Sequence, residues 1–306
     1  MRREVSISTL AAALMAALGV APLATQAATI SVTTTGDAVA DPGCTLRNAI
    51  VTMNNGSTPG SGEGNCRNGA SGTFGTNDTI DFDTTAFPSG GANTITLGSS
   101  GPLSITAYHL TIDASANGSV VIDAHHASRE MYDSANNFGS LTLNHLTLRN
   151  GTAPNDCKGL SVGGGICIPY ASLTLTDSTL SNNSASYGGG GIFAITGGIT
   201  LTNSVLSGNT TAGKGGGVLS TFRTGSVTLI NSTLSGNSAL SGGGIYSGAS
   251  IVMLTNSTLS ANSALNGKGG AIFSNGTLTL TASTLSANSA LNGKGGAIYS
   301  SGTSGL

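Results

Sequence analysis

Charge is scarce in this sequence: Asp, Glu, Lys and Arg together make up 8% of its 306 residues. A globular enzyme of that length is ordinarily about three times as charged. Eleven basic residues against thirteen acidic ones leave a net charge of -2, which gives no electrostatic case for a nucleic-acid partner. Aromatics amount to 4%, so a core must be built from Leu, Ile and Val. The apolar run Leu10–Val20 covers only about half of the roughly twenty residues a spanning helix needs. The four histidines, His109, His125, His126 and His145, cluster away from the repeats, and no Ser/His/Asp or Cys/His arrangement emerges. The glycine runs lack the strand–GxGxxG–helix setting and the following Lys-Ser/Thr of a phosphate cradle. They also lack the aspartates of a calcium-binding nonapeptide.

What the chain does have is repetition. Ser257–Ser274 and Ser283–Ser300 are the same eighteen residues, twenty-six positions apart, except for Phe273 against Tyr299. Looser versions fill the whole of Ser172–Ser300. Each unit carries an apolar pair alternating with Thr or Ser: Leu173/Leu175, Ile199/Leu201, Val227/Leu229, Val252/Leu254 and Leu278/Leu280. That is strand periodicity, with one face inward and a hydroxyl-rich face outward. A second short strand, S-T/V-L-S, places Leu180, Leu206, Leu234, Leu259 and Leu285. A glycine run then closes on Ile166, Ile192, Val218, Ile245, Ile272 or Ile298, always 26 or 27 residues from the last. No helical apolar stripe occurs in these Gly-, Ser- and Thr-rich units. Three short strands per coil of about 26 residues describe a parallel β-helix, an all-β solenoid.

Three residues after each second-strand leucine stands an asparagine: Asn183, Asn209, Asn237, Asn262 and Asn288. Stacked at the strand spacing of roughly 4.8 Å, their amides are expected to bond one to the next as a structural ladder. A ligand-contact role is the sharper alternative and the less economical one.

At the amino terminus, Met1–Ala27 has the form of a secretory signal, with Arg2 and Arg3, the apolar run, and small residues at Thr25-Gln26-Ala27. Its removal takes away Arg2, Arg3 and Glu4, leaving nine basic and twelve acidic residues. In an exported chain the four cysteines are expected to form two local disulfides, Cys44–Cys66 and Cys157–Cys167. Their spacings do not suit zinc, and no histidine lies near them in sequence. One helix is expected, with Asp41 as N-cap, Pro42 in its first turn and Gly56 at its end. Leu46, Ala49, Ile50 and Met53 fall on one stripe of it. Such a helix can cover the exposed edge of a first coil.

The segment Cys44-Thr45-Leu46-Arg47-Asn48-Ala49-Ile50 resembles the CSLREA motif of many exported bacterial β-helix proteins. Thr45 replaces its Ser and Asn48 its Glu, which removes an acidic residue. The later Asp78-Thr79-Ile80-Asp81-Phe82 and Thr94-Ile95-Thr96-Leu97 fit the same context. The G-N-x-A/T…G-G-G/A-I phrases are similar to repeats of polymorphic outer-membrane proteins. These resemblances imply a pectate-lyase-like right-handed parallel β-helix, and parallel crossovers share that hand in general. Four regions follow: 1–27 signal, 28–92 cap, 93–140 irregular first coils and 141–306 regular repeats.

Pectin lyases and several glycoside hydrolases use this fold, and paired carboxylates would be the mark of such an activity. The densest group is Asp113, Asp123, His125, His126, Arg129 and Glu130. Asp113 and Asp123 occupy similar places in successive strands and are expected to be stacked neighbours. The plainer reading makes each an initiator of a turn, and no catalytic, cofactor or metal residue is assigned. The regular coils carry only Asp177, Lys214, Arg223, Lys268, Lys294 and little else that is charged. Lys268 and Lys294 share a position before Gly-Gly and offer positive charge to an anionic glycan or lipid head group; as solvated turn residues they would simply discourage edge pairing.

The chain ends at Gly305-Leu306 just after a glycine-run strand, which is read as an incomplete carboxyl terminus. The function expected is that of an exported surface or secreted passenger, non-enzymatic and adhesin-like, monomeric, and meeting glycans or surface proteins. A polysaccharide lyase or glycoside hydrolase is the alternative.

Overall fold

The computed structural model describes residues 27–56, 66, 74, 77–133, 139–222, 224–302 and 304–305. The signal reading (all but Ala27), residues 57–65 and 67–73 around Cys66, and Arg223 lie outside the described residues. The described chain is an all-β parallel solenoid of about seven turns, with one α-helix near its amino terminus.

Alternating Leu, Ile and Val decide the coil, because they have only one way to leave water. Leu173, Leu175, Leu180 and Ile192 of one coil are all fully buried, each contributing roughly 1.5–3 kcal/mol by that burial. Register then repeats the choice: Leu173 pairs with Ile199, Ile199 with Val227, Val227 with Val252 and Val252 with Leu278. Sheet I stacks ten strands, beginning Thr29–Val32, Asp78–Phe82, His109–Asp113, Ser140–Asn144 and Ser172–Thr176. Sheet II has eight, beginning Leu103–Ile105, Met131–Asp133 and Ile166–Cys167. Sheet III has eight, beginning Thr94–Thr96, Val120–Asp123 and Leu146–Arg149. The regular coils add a short fourth ladder, sheet IV, from Ser184–Ala185 to Ser289–Ala290.

The corner between sheets I and III is turned by single left-handed residues, Asp177, Asn203, Asn231 and Asn256, at φ 49–50°. Asn and Asp tolerate this region where branched residues do not. The next residue is a buried serine, and Ser178, Ser204, Ser232 and Ser257 form a ladder of their own. The Ser178 amide donates to Ser204 Oγ at 3.2 Å, and Ser204 and Ser232 repeat the bond at 3.1 Å. At the glycine run, Gly189 has φ 60°, and a Cβ there would stand 2.4 Å from the Ile192 carbonyl oxygen. Only glycine fits.

Helix α1, Leu46–Asn55, closes the amino-terminal end. It starts later than Asp41 and Pro42 suggested. Thr33 donates its amide to the Cys44 carbonyl and accepts the Cys44 amide on Oγ1, both at 2.9 Å, which holds Cys44 to the first strand. Thr45 is therefore the N-cap, its Oγ1 accepting the Asn48 amide at 3.0 Å. Gly56 ends the helix at φ 59°. Leu46, Ala49, Ile50 and Met53 are all at most 2% exposed and face the first coil. The disulfides Cys44–Cys66 and Cys157–Cys167 are both formed.

Arg47 and Asn54 join the helix to the main chain around the terminal sheet II strand, Leu103–Ile105. Arg47 donates to the carbonyls of Gly101 at 2.8 Å and Pro102 at 3.0 Å, while pairing with Asp37 at 2.9 Å. Asn54 donates to the Ser104 carbonyl at 2.8 Å and accepts the amides of Thr106 and Ala107 at 2.7 and 3.0 Å. The helix thus satisfies strand-edge groups with side chains where a preceding coil would have used its backbone.

Candidate functional site

The six residues grouped by sequence do not form one site. Asp113 lies in sheet I, where its register partners are Asp81 and Asn144. Asp123 lies in sheet III, opposite Thr96 and Arg149. They are not stacked neighbours, because the chain returns to a given sheet only after a full coil. Each accepts the amide two residues on, Ser115 for Asp113 at 2.8 Å and His125 for Asp123 at 2.9 Å. Both therefore work as turn initiators. Burial opposes ionisation of Asp123, yet bonds from Asn150, the His125 amide and Arg149 outweigh it and hold its carboxyl below the usual range. His125 and His126 turn the chain at φ 48° and 60°. The acids that do stack are Asp81 and Asp113, and Asp81 Oδ1 is buried without a hydrogen-bond partner.

Arg129 is fully buried and organises the insertion after Thr152. It donates to the carbonyls of Gly163 and Pro154 at 2.8 and 3.0 Å and pairs with Asp156. A cavity of about 290 Å³ lies between Asp37, Ala38, Thr96, Gly98, Ser99 and Ser100. Its one carboxylate is already committed to Arg47 and to the Gly98 amide.

The buried asparagines bond along the solenoid axis. Asn209 Nδ2 donates to Asn237 Oδ1 at 3.0 Å, Asn237 to Asn262 at 2.9 Å and Asn262 to Asn288 at 3.0 Å. Asn183 joins through its main-chain amide, 3.1 Å from Asn209 Oδ1. One coil earlier the register puts Gly151 where Asn183 would be, and Glu130 where Gly165 would be. A Cβ on Gly165 would lie 2.9 Å from Asn183 Nδ2, and one on Gly151 would lie 2.3 Å from Glu130 Oε2. Side chain and vacancy have changed places: Glu130 fills from one wall the space that asparagine fills from the other.

Glu130 is fully buried and neither carboxyl oxygen has a hydrogen-bond partner; the Gly151 amide is turned instead to Asn183 Oδ1 at 2.7 Å. Burial, with the Asp123 charge as a lesser contribution, pushes this carboxyl well above its ordinary value of 4.5. A raised folded-state pKa gives stability that is complete below about 4.5 and is lost as pH rises toward the folded value. Glu130→Gln should match the natural protein within about 1 kcal/mol in acid. It should become the more stable of the two as pH rises, by about 1.4 kcal/mol for each unit of the shift. Urea unfolding across pH measures this, and parallel stability profiles would refute it.

Residues 177–195, the corner, the Asn183 rung and the glycine run of one coil, match the Chlamydia polymorphic membrane protein (Chlamydia_PMP) repeat. No curated protein and no solved structure matches the chain. The matched stretch contains the very residues that turn corners and stack, so the likeness is one of repeat architecture.

The outer faces remain. On sheet I, Thr111, Thr142, Thr174, Thr200 and Thr228 follow one another in register, and Met253 then interrupts before Thr279. Sheet III presents Thr147, Thr179, Val205, Thr233, Thr258 and Thr284 in the same way. From Ser172 onward the strands of these two adjoining faces are rich in hydroxyls and carry no Asp, Glu, Lys or Arg. On the outside of sheet II, Tyr246 and Phe273 stack at 4.4 Å, and Phe273 and Tyr299 at 5.3 Å. Among the described residues no helix is long and apolar enough to cross a membrane.

Proposed function

We propose that this chain is an exported, surface-displayed passenger whose solenoid is a non-enzymatic, adhesin-like scaffold. The observation that carries the reading is the polymorphic membrane protein repeat at residues 177–195, set within a parallel solenoid whose sheet I and III faces are rich in hydroxyls, broken at Met253 and Val205. Such faces suit many weak hydrogen bonds to glycans or surface proteins. On this reading Met1–Ala27 is the export signal and 28–92 the cap with its CSLREA-like motif. Residues 93–140 form the irregular first coils, and 141–306 the display region at the outer membrane or beyond it. Two disulfides suit an oxidising compartment.

A carbohydrate-active enzyme of pectate-lyase-like fold is the second reading, and the stacked Asp81–Asp113 pair is what favours it. Purified protein should bind glycan-bearing cells while leaving a panel of uronate and neutral polysaccharides uncut. Turnover that Asp81→Ala, Asp113→Ala or Asp123→Ala abolishes would overturn the scaffold reading.

A further inference from the structure

We infer that the edge joining sheet IV to sheet II is a docking surface for an anionic lipid membrane. The chain has four lysines, Lys158, Lys214, Lys268 and Lys294, and all four lie on this edge. Lys214 bridges Gly188 and Ser241 of the neighbouring coils. The carbonyls of Lys268 and Lys294 accept the amides of Gly242 and Gly269 in the coils before them. Lys158 stands in the insertion that leaves the same edge at Thr152 and rejoins it at Val162. Beyond Asp133 the only acids are Asp156, paired with buried Arg129, and Asp177, on the opposite corner between sheets I and III. Lys214, Lys268 and Lys294 therefore share their coils with no carboxylate.

Apolar side chains accompany these lysines. Leu240, Leu265 and Leu291 follow one another in successive coils, 41%, 49% and 55% exposed, linked by the amides of Leu265 and Leu291 to the carbonyls of Ala239 and Ala264. In the next coil toward the amino terminus Gly213 holds the place, and beyond it come Tyr187 and then Leu160, beside the Ser161 that bonds the Tyr187 amide. Five of the eleven large apolar side chains exposed among the described residues thus lie along one edge.

Lysine beside a leucine row is the composition of an interfacial surface, with leucine entering the acyl boundary and ammonium meeting phosphate. An acidic polysaccharide would use the cations but leave the leucines in water. Apart from Tyr187, which is 63% exposed, the rings beside these lysines that could stack on sugars are already engaged: Lys214 Nζ covers Tyr246 at 4.7 Å, and Tyr246 is stacked on Phe273. Lys268 sits 4.2 Å over the Tyr299 ring and donates to its hydroxyl at 2.9 Å. Those contacts fix the direction of two lysines before any membrane arrives. A chain lying on this edge turns the corner between sheets I and III, and both hydroxyl faces, away from the bilayer. The inference does not require those faces to bind anything.

Flotation of the full chain with vesicles of phosphatidylglycerol and phosphatidylcholine tests it, with phosphatidylcholine alone as the neutral control. The chain should float with the anionic vesicles only, and added salt should release it. Reversing Lys158, Lys214 and Lys294 to Glu should weaken partition about a hundredfold. Changing Leu240, Leu265 and Leu291 to Ser should weaken it by about tenfold or more. All six positions are exposed, so circular dichroism should show both variants folded. Equal binding to neutral vesicles, no binding, or a charge-reversed variant within twofold of the natural chain would overturn the inference. So would retention on an acidic polysaccharide that anionic vesicles fail to displace.

Discussion

Leu46→Asp should leave no soluble monomer, while Val51→Asp, five residues along the same helix, should leave the monomer intact. Leu46 is fully buried against the first coil and Val51 is 37% exposed. The two variants add the same charge to the same helix, so they differ only in what that charge must leave behind. Burying an unpaired carboxylate costs several kcal/mol, comparable with the roughly 5–15 kcal/mol by which an ordinary domain is stable. The consequence goes beyond the helix. With α1 displaced, the edge at Leu103–Ile105 loses the bonds from Arg47 and Asn54 and becomes open for pairing with other chains. Size-exclusion chromatography should therefore show aggregates, and an unchanged monomer would refute the edge-covering role. Arg47→Met keeps the aliphatic stem and loses the charge. It should destabilise by about 3–5 kcal/mol, since Asp37 is then left buried and unpaired.

How much of this was legible depends on whether a residue answers to its own coil or to a distant one. The columns Leu173/Leu175 and their successors could be read directly, because twenty-six-residue repetition forces equal positions to stack. The corner serines were legible in principle: Ser178, Ser204, Ser232 and Ser257 precede the strand residue at the same point in every unit. Composition hides their role, because serine is so rarely buried. Asp113 and Asp123 misled for the opposite reason. Adjacent strands in sequence belong to different sheets, and the true partner of Asp113 is Asp81, thirty-two positions earlier. Asp41 and Pro42 have the local preferences of a helix start, but Cys44 is held to Thr33 and tertiary bonding overrides them.

Glu130 shows the limit most clearly. In the sequence it looks like one charge among several beside histidines. In the solenoid it is a buried filler in a place that asparagine holds elsewhere, and only the register with Gly165 and Gly151 reveals this. Reading a charged residue as functional is reasonable when coils carry charge freely. Here they do not, and a buried acid among hydroxyls reports a packing exchange. The exposed lysines gain meaning by the same comparison, since their placement on one edge is visible only when the coils are superposed.

Asn237→Ala should be among the most damaging single truncations within the regular coils. Asn237 is fully buried, and all four bonding positions of its side-chain amide are used. Nδ2 donates to the Leu206 carbonyl at 3.0 Å and to Asn262 Oδ1 at 2.9 Å, while Oδ1 accepts both the amide and Nδ2 of Asn209 at 3.0 Å. Alanine leaves the two Asn209 donors and the Leu206 carbonyl without that partner. Each orphaned group costs about 1–3 kcal/mol, so a total loss of roughly 4 kcal/mol is expected. Asn→Asp at the same place should be worse at neutral pH, since a carboxylate offers no donor to Leu206 or Asn262 and adds an unpaired buried charge. Solenoid coils contact only their neighbours, so the damage should also be local. Hydrogen exchange should show lost protection across the coils holding Asn209, Asn237 and Asn262, while the capped coils around Leu46 keep theirs. An Asn237→Ala protein that unfolds within 1 kcal/mol of the natural chain, or that loses protection evenly along its length, would show that the ladder does not hold the coils together. The control is Asn266→Ala, whose exposed side-chain oxygen accepts one bond of 3.4 Å from Asn292; it should cost well under 1 kcal/mol by comparison.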